Sequence, residues 1–217
     1  MLSIIQAAGW PIWPLMLCSV LALALILERA IQLQTAKVMP PHLLTQSLQA
    51  HQRGVPVAEM VQALDQAGTL GPVLASGLRC LQDKPNASAE EVQASMQMAG
   101  RLAAQSLERY LPALATIASA APLLGLLGTV VGMIEIFGAH TAASPGPNLM
   151  AHGISVALYN TAFGLVVAIP CLMFWRYFRA LVDRHVLAME VSAETFARHL
   201  TRQQDRPGLQ GQQRQPG

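Results

Sequence analysis

The stretch APLLGLLGTVVGMIEIF, from Ala121 to Phe137, decides the fold of this chain. A second stretch, GISVALYNTAFGLVVAIP, matches it in length and in apolar character between Gly153 and Pro170. Small residues recur in both at helical spacing, so each stretch predicts a helix with one face that a second helix can approach closely. The small residues that we assign to helix packing are Gly125, Gly128, Gly132 and Gly164.

The short connection between the two stretches predicts an antiparallel helical hairpin, because SPGPN at 144–148 is typical of a turn. Depth along the hairpin can then be counted from its ends. Thr129 lies eight residues before Phe137, and Thr161 lies seven residues after Ile154. At 1.5 Å per residue, both hydroxyls are expected at nearly the same depth, roughly 10 to 12 Å from the turn. Two threonines at one level predict a polar ring.

A third apolar run, WPIWPLMLCSVLALALILER, extends from Trp10 to Arg29. It ends in Glu28 and Arg29 where a cleaved signal would have small residues, so it predicts an uncleaved membrane helix. The whole chain has 53% hydrophobic and only 12% charged residues, which is apolar for a soluble domain of this size. We therefore expect an all-α integral membrane protein with three transmembrane helices, two of them extended into a helical bundle outside the membrane.

The basic residues predict the orientation of these helices. None of the 14 Lys and Arg residues lies before Trp10 or between Phe137 and Ile154. They flank the opposite ends of the apolar runs, so the positive-inside rule predicts that the N-terminus lies outside and the C-terminus in the cytoplasm. The formal charge of +2 is accounted for by these flanking residues, and we expect no nucleic-acid site.

The two central motifs carry a family resemblance. APLLGLLGTVVGM followed by ALYNTAFGLVVAIP resembles the MotA/TolQ/ExbB family of proton-channel proteins, and the first apolar run is similar to that family's first membrane helix. Three runs in 217 residues resemble the ExbB/TolQ branch, since MotA-type members have four membrane helices. The resemblance implies a bacterial inner-membrane stator subunit that forms a pentamer around single-span ExbD/TolR-like partners. It would convert proton motive force into work on a TonB/TolA-like envelope protein, for outer-membrane transport.

The resemblance and the charge map together predict the organisation of the chain. The predicted segments are a periplasmic N-terminus (1–9), transmembrane helix 1 (10–33), a cytoplasmic helical segment (34–110), transmembrane helix 2 (111–137), a periplasmic loop (138–152), transmembrane helix 3 (153–177) and a cytoplasmic tail (178–217) that is disordered from about 203. Ser88 followed by Glu91 predicts a capping box. The next glycine-proline break comes only at Gly138, so one helix of about 50 residues is expected, bent at Pro112 and Pro122.

The resemblance also implies roles for individual residues. Thr129 and Thr161 correspond to family threonines that face the pore beside the partner's essential aspartate, although a membrane threonine alone can simply bond to a carbonyl one turn back. Asn160 either adds a polar group to the proton path or serves helix packing. Glu135, two residues from the outer end of its helix, either lines the pore mouth or reaches headgroup water. Many members carry a glutamate where this chain has Val156, so the relay would depend on the partner's aspartate.

Other function classes lack their characteristic residues. No phosphate-binding loop, metal cluster or nucleophile with its base is present in the sequence, so we expect no enzyme, no metal site and no cofactor. Two alternatives stay open. A transporter or permease subunit would show repeats and broken helices, and a non-conducting scaffold would leave the matched threonines without a role. The sequence leaves open which envelope process the chain drives and whether the coupling ion is H⁺ or Na⁺.

Overall fold

The computed structural model describes residues 10–53, 55–138 and 147–204. Within these residues every regular element is an α-helix, as the sequence predicts. In chain order the helices are α1 (Ile12–Gln32), α2 (Thr35–Val38), α3 (Leu43–Gln52), α4 (Val57–Asp65), α5 (Leu70–Asp83), α6 (Ala89–Glu108), α7 (Leu111–Gly138) and α8 (Pro147–Gln204). The predicted periplasmic N-terminus, most of the predicted periplasmic loop and the chain from 205 onward lie outside the described residues.

Three stretches of helix are long and apolar enough to cross a membrane within the described part of the chain. They lie in Ile12–Gln32, Ala89–Glu135 and Ala157–Thr201, where an 18-residue window of each has a mean hydropathy of 2.0, 2.0 and 1.8 respectively. A hydrocarbon core about 30 Å thick requires about 20 apolar residues in a helix. The prediction of three apolar membrane helices is therefore confirmed.

The single helix predicted from Ser88 to Gly138 is interrupted. Helix α6 ends at Glu108, and α7 begins at Leu111 after a turn at Arg109 and Tyr110. Pro112 explains the break, because it has no amide proton for the carbonyl of Glu108 and its ring collides with that carbonyl. Pro122 is tolerated inside α7.

Helix α8 is 58 residues long and begins at Pro147. Its start lies six residues before Gly153, where the third membrane helix was predicted to begin. Proline suits the first position of a helix, because the amide proton that it lacks would have no partner within the helix. Pro170 lies inside α8, and the helix continues past it to Gln204.

The chain divides into two compact units. The first, here called the membrane unit, comprises Met1–Ile31 and Tyr110–Arg179, and the second, here called the polar unit, comprises Gln32–Arg109 and Ala180–Gly217. The membrane unit contains nearly all of α1, all of α7 and the first part of α8. The polar unit contains α2 to α6 and the last part of α8.

In the membrane unit, α7 and α8 approach each other at two glycines until their backbones touch. A Cβ atom added to Gly125 would lie 2.8 Å from the carbonyl oxygen of Asn160 and 3.0 Å from Cα of Thr161. A Cβ atom added to Gly164 would lie 2.6 Å from the carbonyl oxygen of Ala121. Neither position has room for a side chain unless the helices separate, since the neighbouring atoms belong to the backbone.

Two further glycines of α7 continue the same contact toward the end of the helix. A Cβ atom on Gly128 would lie 2.8 Å from Cβ of Asn160, whereas one on Gly132 would lie 3.3 Å from Cβ of Ala157. Residue numbers along α7 increase while those of the facing residues on α8 decrease, so the two helices are antiparallel. This seam of small residues is where α7 and α8 are in closest contact.

The polar unit has a core of ordinary large side chains. Helices α4, α5 and α6 pack in sequence, and the residues buried among them and the end of α8 include Leu64, Leu74, Leu78, Val92, Met96, Phe196 and Leu200. Gly77 of α5 permits this packing, because a Cβ atom there would lie 2.8 Å from the Sδ atom of Met96. The ring Nε2 atom of His185 donates to the carbonyl oxygen of Leu33 at 3.1 Å and so joins α8 to the residue after α1.

The predicted capping box at the start of α6 is confirmed. The hydroxyl of Ser88 accepts from the backbone amide of Glu91 at 3.2 Å, and the Ser88 amide donates to the Glu91 carboxylate at 2.9 Å. These reciprocal bonds satisfy amide donors that would otherwise have no partner in the first turn. The same carboxylate accepts from Lys84 at 3.1 Å, and these hydrogen bonds lower the pKa of Glu91.

The glycine contacts predict an ordered series of substitutions. Gly164→Ala and Gly125→Ala place a methyl group against backbone and should each destabilise the chain, because overpacking typically costs about 1–3 kcal/mol. Gly132→Ala is the matched control, since its methyl group would lie 3.3 Å from Cβ and 3.7 Å from Cα of Ala157, and alanine favours a helix by up to about 1 kcal/mol. Thermal unfolding of detergent-solubilised protein should show lower midpoints for the first two variants and no loss for the third. A Gly132→Ala midpoint as low as that of Gly164→Ala would contradict this helix register.

Candidate functional site

Thr129 lies on α7 beside the glycine seam. Its side chain is half-buried, and its hydroxyl donates to the carbonyl oxygen of Leu126 at 2.7 Å. Such a bond uses the hydroxyl proton and leaves the oxygen lone pairs able to accept. Thr129 can therefore receive a hydrogen bond from water or from a neighbouring acid while its own helix holds the side chain in place.

Thr161 lies on α8 opposite Gly125, where its Cα atom is 3.0 Å from the position of an added Cβ. Its side chain is half-buried, like that of Thr129. Gly125 and Thr129 are four residues apart on α7, which corresponds to about 6 Å at 1.5 Å per residue. The structure thus places the two threonines about one helical turn apart in depth, whereas counting from the predicted hairpin ends placed them nearly level.

The two threonines nevertheless point to the same side of the seam. Thr129 directly follows Gly128, Thr161 directly follows Asn160, and Gly128 and Asn160 face each other across the seam. One residue turns a helix by about 100°. In an antiparallel pair, the same forward step on both helices carries both side chains toward one edge. The membrane unit therefore presents two hydroxyls along one edge of its tightest helix contact.

Asn160 occupies a different position from the threonines. Its side chain is buried, with 2% of its surface exposed, and it lies against Gly128 within the same chain. An amide enclosed between two helices of one chain is separated from a path that runs along their edge. The burial favours helix packing, one of the two roles that the sequence allows for Asn160.

Glu135 is exposed near the end of α7, three residues before Gly138. On the same helix, a surface groove of about 550 Å³ is lined by Thr129, Val130, Met133, Ile134, Phe137 and Gly138. The position of Glu135 is compatible with both of its predicted settings, the mouth of a pore and the headgroup region. Its carboxylate is not enclosed by the fold of the single chain.

Arg29 is a residue whose setting the sequence did not predict. We predicted a membrane-flanking anchor, yet only 2% of its surface is exposed, and its guanidinium carbon lies 4.7 Å from the ring centre of Tyr110. A cation over an aromatic face is stabilised by about 0.5–2 kcal/mol, more when both are desolvated. Tyr110 stands in the turn before α7, so the contact joins the end of α1 to the start of α7. No local pattern links two residues so far apart in sequence.

The described residues contain no group of three or more His, Cys, Asp and Glu side chains that could hold a metal ion. Two histidines that are distant in sequence do meet in the polar unit, where the ring centres of His51 and His199 are 6.3 Å apart. Burial and the neighbouring His199 lower the pKa of His51 below its usual value. His51 therefore remains neutral to lower pH than a solvated histidine, and two ligands alone do not form a metal site.

Comparison with known proteins identifies the family. Residues 65–191 match the model of the MotA/TolQ/ExbB proton channel family. The chain is 31% identical over 189 residues to Biopolymer transport protein exbB1 of Vibrio cholerae serotype O1, a match that covers 85% of this chain and 82% of that protein. It is 33% identical over 186 residues to Putative biopolymer transport protein ExbB-like 3 of Synechocystis sp., covering 82% and 85%.

A shorter match is to the other named branch of the family. The Tol-Pal system protein TolQ of Haemophilus influenzae is 40% identical over 92 residues, which covers 42% of this chain and 40% of that protein. The matched region includes α7, the part of α8 that forms the glycine seam, and both threonines at its edge. Together with three helices able to cross a membrane, these matches show that the chain is a membrane protein of the MotA/TolQ/ExbB proton channel family, from its ExbB/TolQ branch.

Proposed function

We propose that this chain is the multi-pass subunit of an inner-membrane stator that couples proton flow to mechanical work. The observation that carries the proposal is the pair of half-buried hydroxyls, Thr129 and Thr161, on one edge of the glycine seam. Family membership supplies the class of activity, proton conduction. The two threonines are the groups of this chain that we assign to the proton path.

A proton path along this edge needs groups that hold water in a chain. A buried water typically makes about three hydrogen bonds, and hydroxyls one turn apart are spaced to contact successive waters. The described part of α7 and α8 places no carboxylate beside either threonine, since Glu135 lies six residues beyond Thr129. The titrating group of the path is therefore the aspartate of an ExbD/TolR-like single-span partner, with Thr129 and Thr161 orienting water beside it.

The remaining predicted site residues take supporting roles in this proposal. Gly125, Gly128, Gly132 and Gly164 bring α7 and α8 together, so that the threonine edge is narrow and rigid. Asn160 fixes the rotation of α8 in the seam. Glu135 lies at the outer mouth of the path, where an exposed carboxylate attracts cations.

The subunits assemble as a pentamer, and the partner helices occupy its axis. Bulky apolar side chains are widely exposed on the membrane helices of the single chain, among them Trp13, Leu17, Leu123, Ile134, Val166 and Met173. Lipid and neighbouring subunits share the covering of these surfaces. Each proton that crosses 100 mV releases about 2.3 kcal/mol, so several protons must pass for one substantial displacement of a TonB/TolA-like protein. We assign outer-membrane transport as the process that this stator drives.

The orientation that we propose puts the N-terminus in the periplasm and the polar unit in the cytoplasm. A cysteine placed at Ser144, in the connection outside the described residues, should react with a membrane-impermeant maleimide in intact cells. Cys80, half-buried on α5 of the polar unit, should react only after permeabilisation. The reverse pattern would contradict the orientation that the basic residues predict.

Thr161→Val tests the proton path. Valine keeps the branched shape and removes the hydroxyl, so assembly should survive. The proton-driven activity of the TonB/TolA-like protein should fall by an order of magnitude or more, because the water chain loses a contact at its narrowest point. Thr195→Val is the matched control, since this threonine of α8 lies in the polar unit and bonds only to the carbonyl of Val191 at 2.8 Å.

The measurement is the activity of the TonB/TolA-like protein in cells that express each variant at normal level together with the ExbD/TolR-like partner. Full activity of Thr161→Val would show that Thr161 is an ordinary packing residue. Reduced activity of both variants to the same extent would indicate a general effect of threonine loss on α8 and would also contradict the assignment.

A further inference from the structure

The polar unit contains a groove between α6 and α8 that the single chain leaves empty. Its volume is about 610 Å³, and its lining includes Met96, Gly100 and Arg101 of α6 and Leu187, Glu190 and Val191 of α8. A Cβ atom added to Gly100 would meet nothing within 4 Å. The groove is therefore open where α6 has its smallest residue.

A pair of exposed apolar side chains stands on the other side of α6. Met98 and Leu102 are one turn apart, with 62% and 63% of their surfaces exposed. At about 100° per residue, they point roughly 130–170° away from the mean direction of the α6 residues that line the groove. This pair, here called the α6 ridge, faces away from α8. One helix thus carries a protrusion on one face and a cavity on the opposite face.

We propose that the α6 ridge of each copy occupies the α6/α8 groove of the next copy. The proposal deepens the oligomer described above and rests on the proposed function for its closed, symmetric arrangement. A contact between two different faces of one chain repeats head to tail, and it closes into a ring when the rotation per copy allows. The opposite placement of ridge and groove on α6 is the geometry that such a contact requires.

The chemistry of the two faces fits a second copy. Leu187 and Val191 lie one turn apart on the groove wall, matching the spacing of Met98 and Leu102, and both are more than half exposed in the single chain. Of the residues one turn from the ridge on its own helix, Arg101 is basic and the others, Ala94, Ser95, Ala99, Gln105 and Ser106, carry no charge. Seating the ridge therefore brings a basic side chain toward the carboxylates of Glu190 and Glu194, the two acidic residues that line the groove.

Cysteine cross-linking tests the contact directly. In a chain with Cys18, Cys80 and Cys171 replaced by alanine, Leu102→Cys combined with Leu187→Cys should give a ladder of cross-linked species in native membranes. Each single variant should give none, because a head-to-tail contact does not bring one position against its own copy. Gln62→Cys with Leu187→Cys is the control pair, since Gln62 is exposed on α4 and does not line the groove.

The pattern of cross-links distinguishes the possible occupants. Dimers from Leu102→Cys alone would show a two-fold contact between ridges and would overturn the proposal. An absent ladder, together with quenching of a fluorophore at position 102 by brominated lipid, would show that the ridge lies against lipid. Neither the cross-linking nor the quenching measurement requires proton flow.

Gly100→Trp provides an independent test, because the single chain has open space at Gly100. The variant should retain its helical content and unfolding midpoint, while the yield of the cross-linked ladder falls at least tenfold. Gly100→Ala should retain the ladder. A full ladder in Gly100→Trp would show that no neighbour enters the groove.

The α6 ridge contact and the proposed proton path can be contradicted independently of each other. A ladder that persists while Thr161→Val is fully active would contradict the proton path alone. An absent ladder in a chain whose client activity depends on Thr161 would contradict the α6 ridge contact alone.

Discussion

The contact on which the membrane unit depends is the approach of two helix backbones at Gly125 and Gly164. Carbonyl oxygens of one helix lie where the other would carry its first side-chain carbon. In lipid, apolar side chains gain little by leaving one apolar surface for another, so helix association depends on close packing. The absent side chains permit that packing, and the positions of Thr129, Thr161 and Asn160 follow from it.

Different interactions stabilise the interior of each unit. The polar unit buries large side chains such as Leu74, Met96 and Phe196, as a protein in water does to remove apolar surface from solvent. The membrane unit exposes many of its large side chains, Leu17, Leu123 and Val166 among them, and places small residues within the seam. A hydroxyl at the edge of that seam lies beside a stiff contact, which is the setting that the proposed chain of water requires.

Much of this architecture could be predicted from the sequence, since helical periodicity and the spacing of glycines are local properties. The helix starts were less predictable. The register across the seam also differs from a count that starts at Phe137 and Ile154, since Thr161 lies level with Gly125. The burial of Asn160 and the meeting of His51 with His199 depend on how distant segments pack, which periodicity does not encode.

The enclosed contact between Arg29 and Tyr110 has a consequence for the synthesis of the chain. Arg29 emerges from the ribosome 110 − 29 = 81 residues before Tyr110, so the aromatic ring that covers its guanidinium does not yet exist when α1 reaches the membrane. At about 5–20 residues per second, the interval is roughly 4 to 16 s. During that time the contact that joins the end of α1 to the start of α7 cannot form, so α1 lacks this link until the start of α7 has been translated.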